Sequence, residues 1–216
     1  STLDRSSAAS DVYKRQEPTQ LPDAIHLPRR RILSWGLTAI AAGLTGAIIP
    51  TTAVAQPQKD WRQVLLDQDR WLSLERGATG EKAQFRYYKF GNGFEKQGYN
   101  IACHLLRDVE AGVTFGMNPK LLDTLYLIQG YLRIKKMPFH IIIQSGYRTP
   151  AHNARLAKAA KKSQHVLGNA ADIRIPGLET DALTRLAKAI GVGGVGFYPH
   201  NGFVHVDVGR VREWTG

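Results

Sequence analysis

The sequence predicts an α+β domain in which a small, mostly antiparallel sheet is flanked by helices. Three observations carry that expectation. Apolar residues recur at helical spacing in the segments 98–110 and 119–132. Short apolar or alternating runs lie near 139–144, 170–175, 194–198 and 203–208, lengths that suit strands. The helical segments come first and most strands follow, which is the order of an α+β fold.

Each element has a local reason. Trp71, Leu72 and Leu74 open one strand of a hairpin, and the run from Phe85 to Tyr88 supplies the other. A glycine-rich turn between Gly77 and Gly80 joins them. Ile101, Leu105 and Val109 repeat at intervals of four, predicting a helix over 98–110. Asn118 and Pro119 open the next helix as cap and first turn, and Leu121, Leu125, Ile128 and Leu132 form its buried face. Thr149 and Pro150 cap a short helix predicted to run to about Ala160. A helix over 180–190 closes at Gly191. The last two strands, 194–198 and 203–208, are joined by a turn at 199–202.

Charge and cysteine content bound the function classes. Among 216 residues the formal net charge is +11, a balance that suits nucleic acid, anionic lipid or an anionic cell wall, or serves solubility alone. Cys103 is the single cysteine, so an intramolecular disulfide and a four-cysteine zinc site are both excluded.

The first 55 residues do not read as fold. Residues 1–16 show no period and resemble vector-derived or disordered sequence. Within 17–55, Arg29, Arg30 and Arg31 precede an apolar stretch from Ile32 to Ile49, and Ala53-Val54-Ala55 has the small-x-small form of a cleavage site. Arg29-Arg30-x-Ile32-Leu33 has the form of a twin-arginine signal. The alternative is an uncleaved anchor, because an apolar stretch of about 18 residues is at the lower limit for spanning a bilayer. Cleavage after Ala55 leaves 56–216 as one domain with no membrane association.

The chemistry is expected at His165, Asp172 and His205. On a strand over 203–208, Val204, Val206 and Val208 fall on one face, and Phe203, His205 and Asp207 on the other. Ionisable groups on a buried-type strand need partners. Asp172 sits between small residues and core-facing Ile173, and His165 precedes Gly168, where the chain can turn into that strand. Two imidazoles and one carboxylate are a normal zinc set, and three protein ligands leave a fourth position for water. The competing reading is three unrelated residues, since a histidine and an aspartate seven apart form a weak pattern.

Four ordered motifs add to this. They are Ser145-Gly146-Tyr147-Arg148, Ser163-x-His165-x-x-Gly168-x-Ala170-x-Asp172, Gly193-Gly194-Val195-Gly196-x-Tyr198-Pro199 and Phe203-Val204-His205-Val206-Asp207. Together they resemble the murein endopeptidase K family, within the zinc D-Ala-D-Ala carboxypeptidase and endopeptidase group (the LAS group) that shares its core with the hedgehog domain. Pro119 to Leu125 and Arg212-x-Trp214 fit as well. The resemblance implies a hedgehog- or D-Ala-D-Ala-peptidase-like fold with zinc held by His165, Asp172 and His205, and Arg148 stabilising the oxyanion. It implies a periplasmic zinc endopeptidase acting on peptidoglycan peptide stems. The protein is further expected to be a monomer with no nucleic-acid partner. The sequence departs from relatives that place a general base two or three residues before the last ligand, since Gly202 and Phe203 stand there. Asp207 is the nearest carboxylate, either as base or as the group that orients an imidazole. His152 and His200 are further candidates.

Three rivals remain at this stage. One is a carboxypeptidase trimming stem peptides, and another is a non-catalytic, zinc-stabilised wall-binding module. The third is a non-haem iron site, because two histidines and a carboxylate also suit iron.

Overall fold

The computed structural model describes residues 60–156, 162–191 and 193–216. The leader over 1–16 and the twin-arginine segment over 17–55 lie outside these residues, whereas the helix expected to reach about Ala160 ends at Arg155, with Leu156 already extended.

Asp60 caps the first helix, α1 (Trp61–Leu66), by accepting from the Arg62 N–H. β1 (Arg70–Arg76) and β2 (Lys82–Lys89) form the expected hairpin, with Leu72, Leu74, Phe85 and Tyr87 buried at period two. A two-residue strand, β3 (Gly93–Phe94), extends it. α2 (Lys96–Leu105) lies so close to β2 that a Cβ at Gly98 would sit 1.8 Å from the Arg86 carbonyl oxygen. This helix ends before the predicted Glu110. The chain after it turns back in a bridge between Asp108 and Val113, and the Asp108 carboxylate serves the loop before the next short helix instead.

α3 (Pro119–Ile134) starts at Asn118, whose side chain accepts from the Lys120 N–H. Its burial exceeds the single face read from the sequence, because Leu122, Tyr126, Leu127, Gln129 and Gly130 are buried too. Two devices allow that. Gly130 is a notch for Leu65 of α1, where a Cβ would meet the Leu65 side chain at 2.8 Å. The amide of Gln129 bonds the backbone of Ser73 and the Phe139 carbonyl, so no buried polar atom on it is orphaned.

β4 (Ile141–Ser145), α4 (Pro150–Arg155), β5 (Ala170–Arg174), α5 (Thr180–Ile190), β6 (Gly194–Tyr198), a 3-10 turn at Pro199–Asn201, β7 (Phe203–Asp207) and β8 (Arg212–Thr215) complete the chain. α5 ends on Gly191 at φ 71, a left-handed position that glycine occupies without strain. The strands form one eight-stranded sheet in the order β3-β2-β1-β4-β5-β7-β6-β8.

This corrects the expected small antiparallel sheet. β1 pairs with β4 in parallel, as does β6 with β8, so the sheet is mixed. It is also larger, because the hairpin and the C-terminal strand join it edge to edge. Neither parallel pair is joined by a tight turn, since much of the fold separates β1 from β4 and β7 separates β6 from β8, so local turn chemistry signals neither pairing.

On one face of the central strands Ile141, Ile143, Ala171, Ile173, Val204 and Val206 are buried. Val208, expected with them, falls past the end of β7 and is only half-buried. Among the described residues no helix is long and apolar enough to cross a membrane.

Candidate metal centre

The site is built where β4, β5 and β7 meet. The antiparallel register sets Asp172 directly opposite His205. A β-bulge between Ile143 and Ser145 brings Ser145 opposite Asp172 from the other side. Beyond β7, Gly196 of β6 pairs with His205, and Trp214 of β8 pairs with Gly196. A single row thus crosses the sheet: Trp214, Gly196, His205, Asp172, Ser145. Gly196 must be glycine, since a Cβ there would lie 2.6 Å from the Trp214 ring, which in turn lies 5.1 Å from the His205 ring.

His165 reaches the row from the loop before β5. Gly168, at φ 68, turns that loop, and its carbonyl accepts from the Asn118 N–H. Gly146 turns the chain after β4 so tightly that a Cβ would meet the Leu106 carbonyl oxygen at 2.3 Å. The Gly146 carbonyl thereby faces His165 Nδ1 at 2.6 Å.

Three donor atoms converge: His165 Nε2, His205 Nδ1 and Asp172 Oδ1. Their separations are 3.1 Å between the two nitrogens, 2.9 Å from His205 to Asp172 and 3.3 Å from His165 to Asp172. Three ligands held about 2.0–2.1 Å from one tetrahedral ion stand ~3.3 Å apart. All three residues are buried, at 3%, 7% and 4% exposure for His165, His205 and Asp172.

The outer atoms fix the tautomers. His165 Nδ1 donates to Gly146, and His205 Nε2 donates to Asp207 Oδ2 at 3.0 Å. In neutral rings the inner nitrogens then carry lone pairs, aimed at each other and at a carboxylate oxygen. A cation between them resolves that repulsion, so the donor set fits a metal ion.

Electrostatics agree. Burial penalises the charged form of Asp172, but His165 and His205 outweigh it and hold the carboxyl well below its usual range. Burial lowers His165 and keeps it neutral. Burial also acts to lower His205, yet Asp172 and Asp207 beside it raise its pKa, so that ring attracts positive charge.

Arg148 lies against the centre. Its Nη2 donates to Asp172 Oδ2 at 2.6 Å and its Nε to Ser145 Oγ at 2.8 Å. That contact leaves the other Asp172 oxygen facing the histidines. Asp207 is 1% exposed, and its oxygens accept from the N–H groups of Gly194 and Gly209 and from two nitrogens of Arg212. Burial opposes ionisation of Asp207, but His205, Arg212 and the two backbone N–H groups hold its pKa well below normal.

Sequence reading did not single out Asp108. This residue, 1% exposed, accepts from the Thr149 N–H and hydroxyl and contacts His152 Nδ1 at 2.9 Å. It anchors the turn that carries Arg148. The other nitrogen of His152 faces Glu110, so both of its nitrogens are engaged at this brace, and His200 lies exposed in the 3-10 turn. Asp108 carried no motif of its own, and Ser145-Gly146-Tyr147-Arg148 and Arg212-x-Trp214 marked Gly146 and Arg212 without showing the contacts they make.

The profile of the peptidoglycan L,D-endopeptidase MepK family matches residues 65–214. The Escherichia coli (strain K12) protein named peptidoglycan L,D-endopeptidase MepK is 34% identical over 196 residues, which cover 89% of this chain and 100% of that protein. The Haemophilus influenzae protein named "Probable peptidoglycan L,D-endopeptidase MepK" is 31% identical over 192 residues, covering 87% of this chain and 96% of that protein. No solved structure gives a significant match. With a profile match over residues 65–214 that includes His165, Asp172 and His205, the chain belongs to the peptidoglycan L,D-endopeptidase MepK family.

Proposed function

We propose that this protein is a periplasmic, zinc-dependent endopeptidase that cleaves L,D-amide bonds in the peptide cross-links of peptidoglycan. The observation that carries the reading is the convergence of His165 Nε2, Asp172 Oδ1 and His205 Nδ1 at 2.9–3.3 Å, with their tautomers set from outside. Family membership supports the substrate, and the export signal read from residues 29–55 supports the compartment.

His165, Asp172 and His205 would hold the ion. When bound, zinc supplies a Lewis acid and makes water a nucleophile at neutral pH. The protein's own groups do the rest. Arg148 is fixed by Ser145 and Asp172 through Nε and Nη2, and among the described residues nothing engages its Nη1. That nitrogen presents a preorganised N–H to the substrate carbonyl oxygen, where negative charge develops as the amide is attacked. Asp207 acts on His205 rather than on substrate. Its lone pairs are already taken by backbone N–H groups and Arg212, so it orients and polarises the ring.

The test is digestion of purified sacculi and defined muropeptides by the protein. Release of L,D-cross-linked products, abolished by chelator and by His165→Ala and restored by zinc, is the expected result. Intact cross-links after exposure to zinc-loaded protein would remove the hydrolytic reading.

A further inference from the structure

One step along the strands from the donor atoms, a second group of side chains lines the same face of the sheet. Arg174 follows Asp172 by two residues on β5, so it projects from the same face about 7 Å away. The paired β5–β7 register ends at Ile173 opposite Val204, with Arg174 and Phe203 the next residue on each strand. Phe203 pairs with Tyr198 on β6, and their rings stack at 4.5 Å with an interplanar angle of 19°.

The arginines of this face differ in one respect. Arg148 holds Asp172 and Arg212 holds Asp207. Arg174 is exposed, and among the described residues none hydrogen-bonds or ion-pairs with its guanidinium. The nearest acid along the row, Glu75 beyond Ile142, is already engaged by Lys82 and His140.

We propose that Arg174 and the Tyr198–Phe203 stack form a carboxylate subsite that orients an anionic stem peptide across the metal centre. The inference rests on the function proposed above and names what fixes the substrate there. A guanidinium offers paired N–H donors that match a carboxylate. The aromatic stack gives a flat apolar wall for the aliphatic part of the same residue. An extended peptide advances about 3.3–3.6 Å per residue, so the carboxylate gripped stands about two residues from the bond at the metal centre. Stem peptides carry free carboxylates at such spacings, and amidated stems do not. Discrimination between the two chemistries is then a property of Arg174.

The experiment is calorimetric titration of the full-length, metal-loaded protein with a stem tetrapeptide bearing free carboxylates, and with the same peptide as its carboxamide. The wild type is expected to bind the carboxylate form roughly tenfold or more tightly than the carboxamide. Arg174→Gln is expected to bind both forms alike, and Arg174→Lys to retain part of the preference. Circular dichroism checks that the variants keep the wild-type fold, as expected for an exposed position. Equal binding of both peptides by the wild type, or a preference that survives in Arg174→Gln, overturns the subsite. Carboxylate preference in a protein that cleaves no muropeptide leaves the subsite standing and strikes the hydrolytic reading alone.

Discussion

Ile173 and Asp172 are neighbours on one strand, both are buried, and they belong to different regions of the molecule. Ile173 faces the helix-covered side with Ile143 and Val204, where burial of apolar area is the whole contribution. Asp172 faces the other side, where His165, His205 and Asp207 are almost as inaccessible as the core. That side gains little from the hydrophobic effect. It holds together through charge, with the oxygens of Asp172 and Asp207 and the ring nitrogens of both histidines tied to named partners. One sheet thus keeps its stability on one face and its chemistry on the other, and the two can be perturbed separately.

The sharpest break is Asp172→Ala. It removes a donor from the metal centre and strands Arg148, so muropeptide hydrolysis should fall by about three orders of magnitude or more, roughly 4 kcal/mol of transition-state stabilisation. Elemental analysis should find the metal lost. A variant that retains one equivalent of metal would show that the two faces are not divided in this way. Ile173→Ala, one residue along, is the converse. Urea unfolding should show a loss of about 2–5 kcal/mol, with metal content per folded protein unchanged. If metal content fell in step with stability, the faces would be coupled.

Asp207→Asn tests the proposal that Asp207 orients His205 rather than meeting substrate. Losing the charge behind His205 should weaken metal affinity by roughly 10–100-fold, read by competition with a chelator, while the melting temperature of the metal-free protein shifts less than for Ile173→Ala.

The smallest effect is at Asp108, which braces the turn that carries Arg148. Burial raises the cost of its charge, but the N–H groups of Thr149 and Ala111, His152 and the Thr149 hydroxyl outweigh that and bring its pKa down to about 2. A carboxyl lowered by folding stabilises the protein above its unfolded value near 4, and that contribution disappears as pH falls through about 2. Asp108 should account for about 2 kcal/mol of the stability lost across that window, and Asp108→Asn should lack that part of the acid dependence. Parallel acid curves for the two proteins would contradict the assignment.

The two faces were unequally legible in the sequence. Alternation alone put His205 and Asp207 opposite Val204 and Val206, because a strand has period two wherever it lies. Small neighbours around Asp172 and the glycine after His165 pointed to those two residues, and the four motifs strengthened the reading. What could not be read was contact between distant segments. The parallel pairing of β1 with β4 and of β6 with β8 has no local signal, so the sheet was underestimated. α3 read as one-sided because its second buried face depends on α1 and α5 covering it. The atoms that set the tautomers divide in the same way. Asp207 was visible beside His205, whereas the Gly146 carbonyl is a backbone group with no side chain to announce it.

Trp214, laid across Gly196 with its ring 5.1 Å from that of His205, gives the molecule an optical reporter. Indole emission is quenched by a nearby imidazolium and responds differently to a neutral, cation-bound ring. Titrating metal-free protein with zinc should therefore alter its intrinsic fluorescence, and Trp214→Phe should silence that response while occupancy is followed independently.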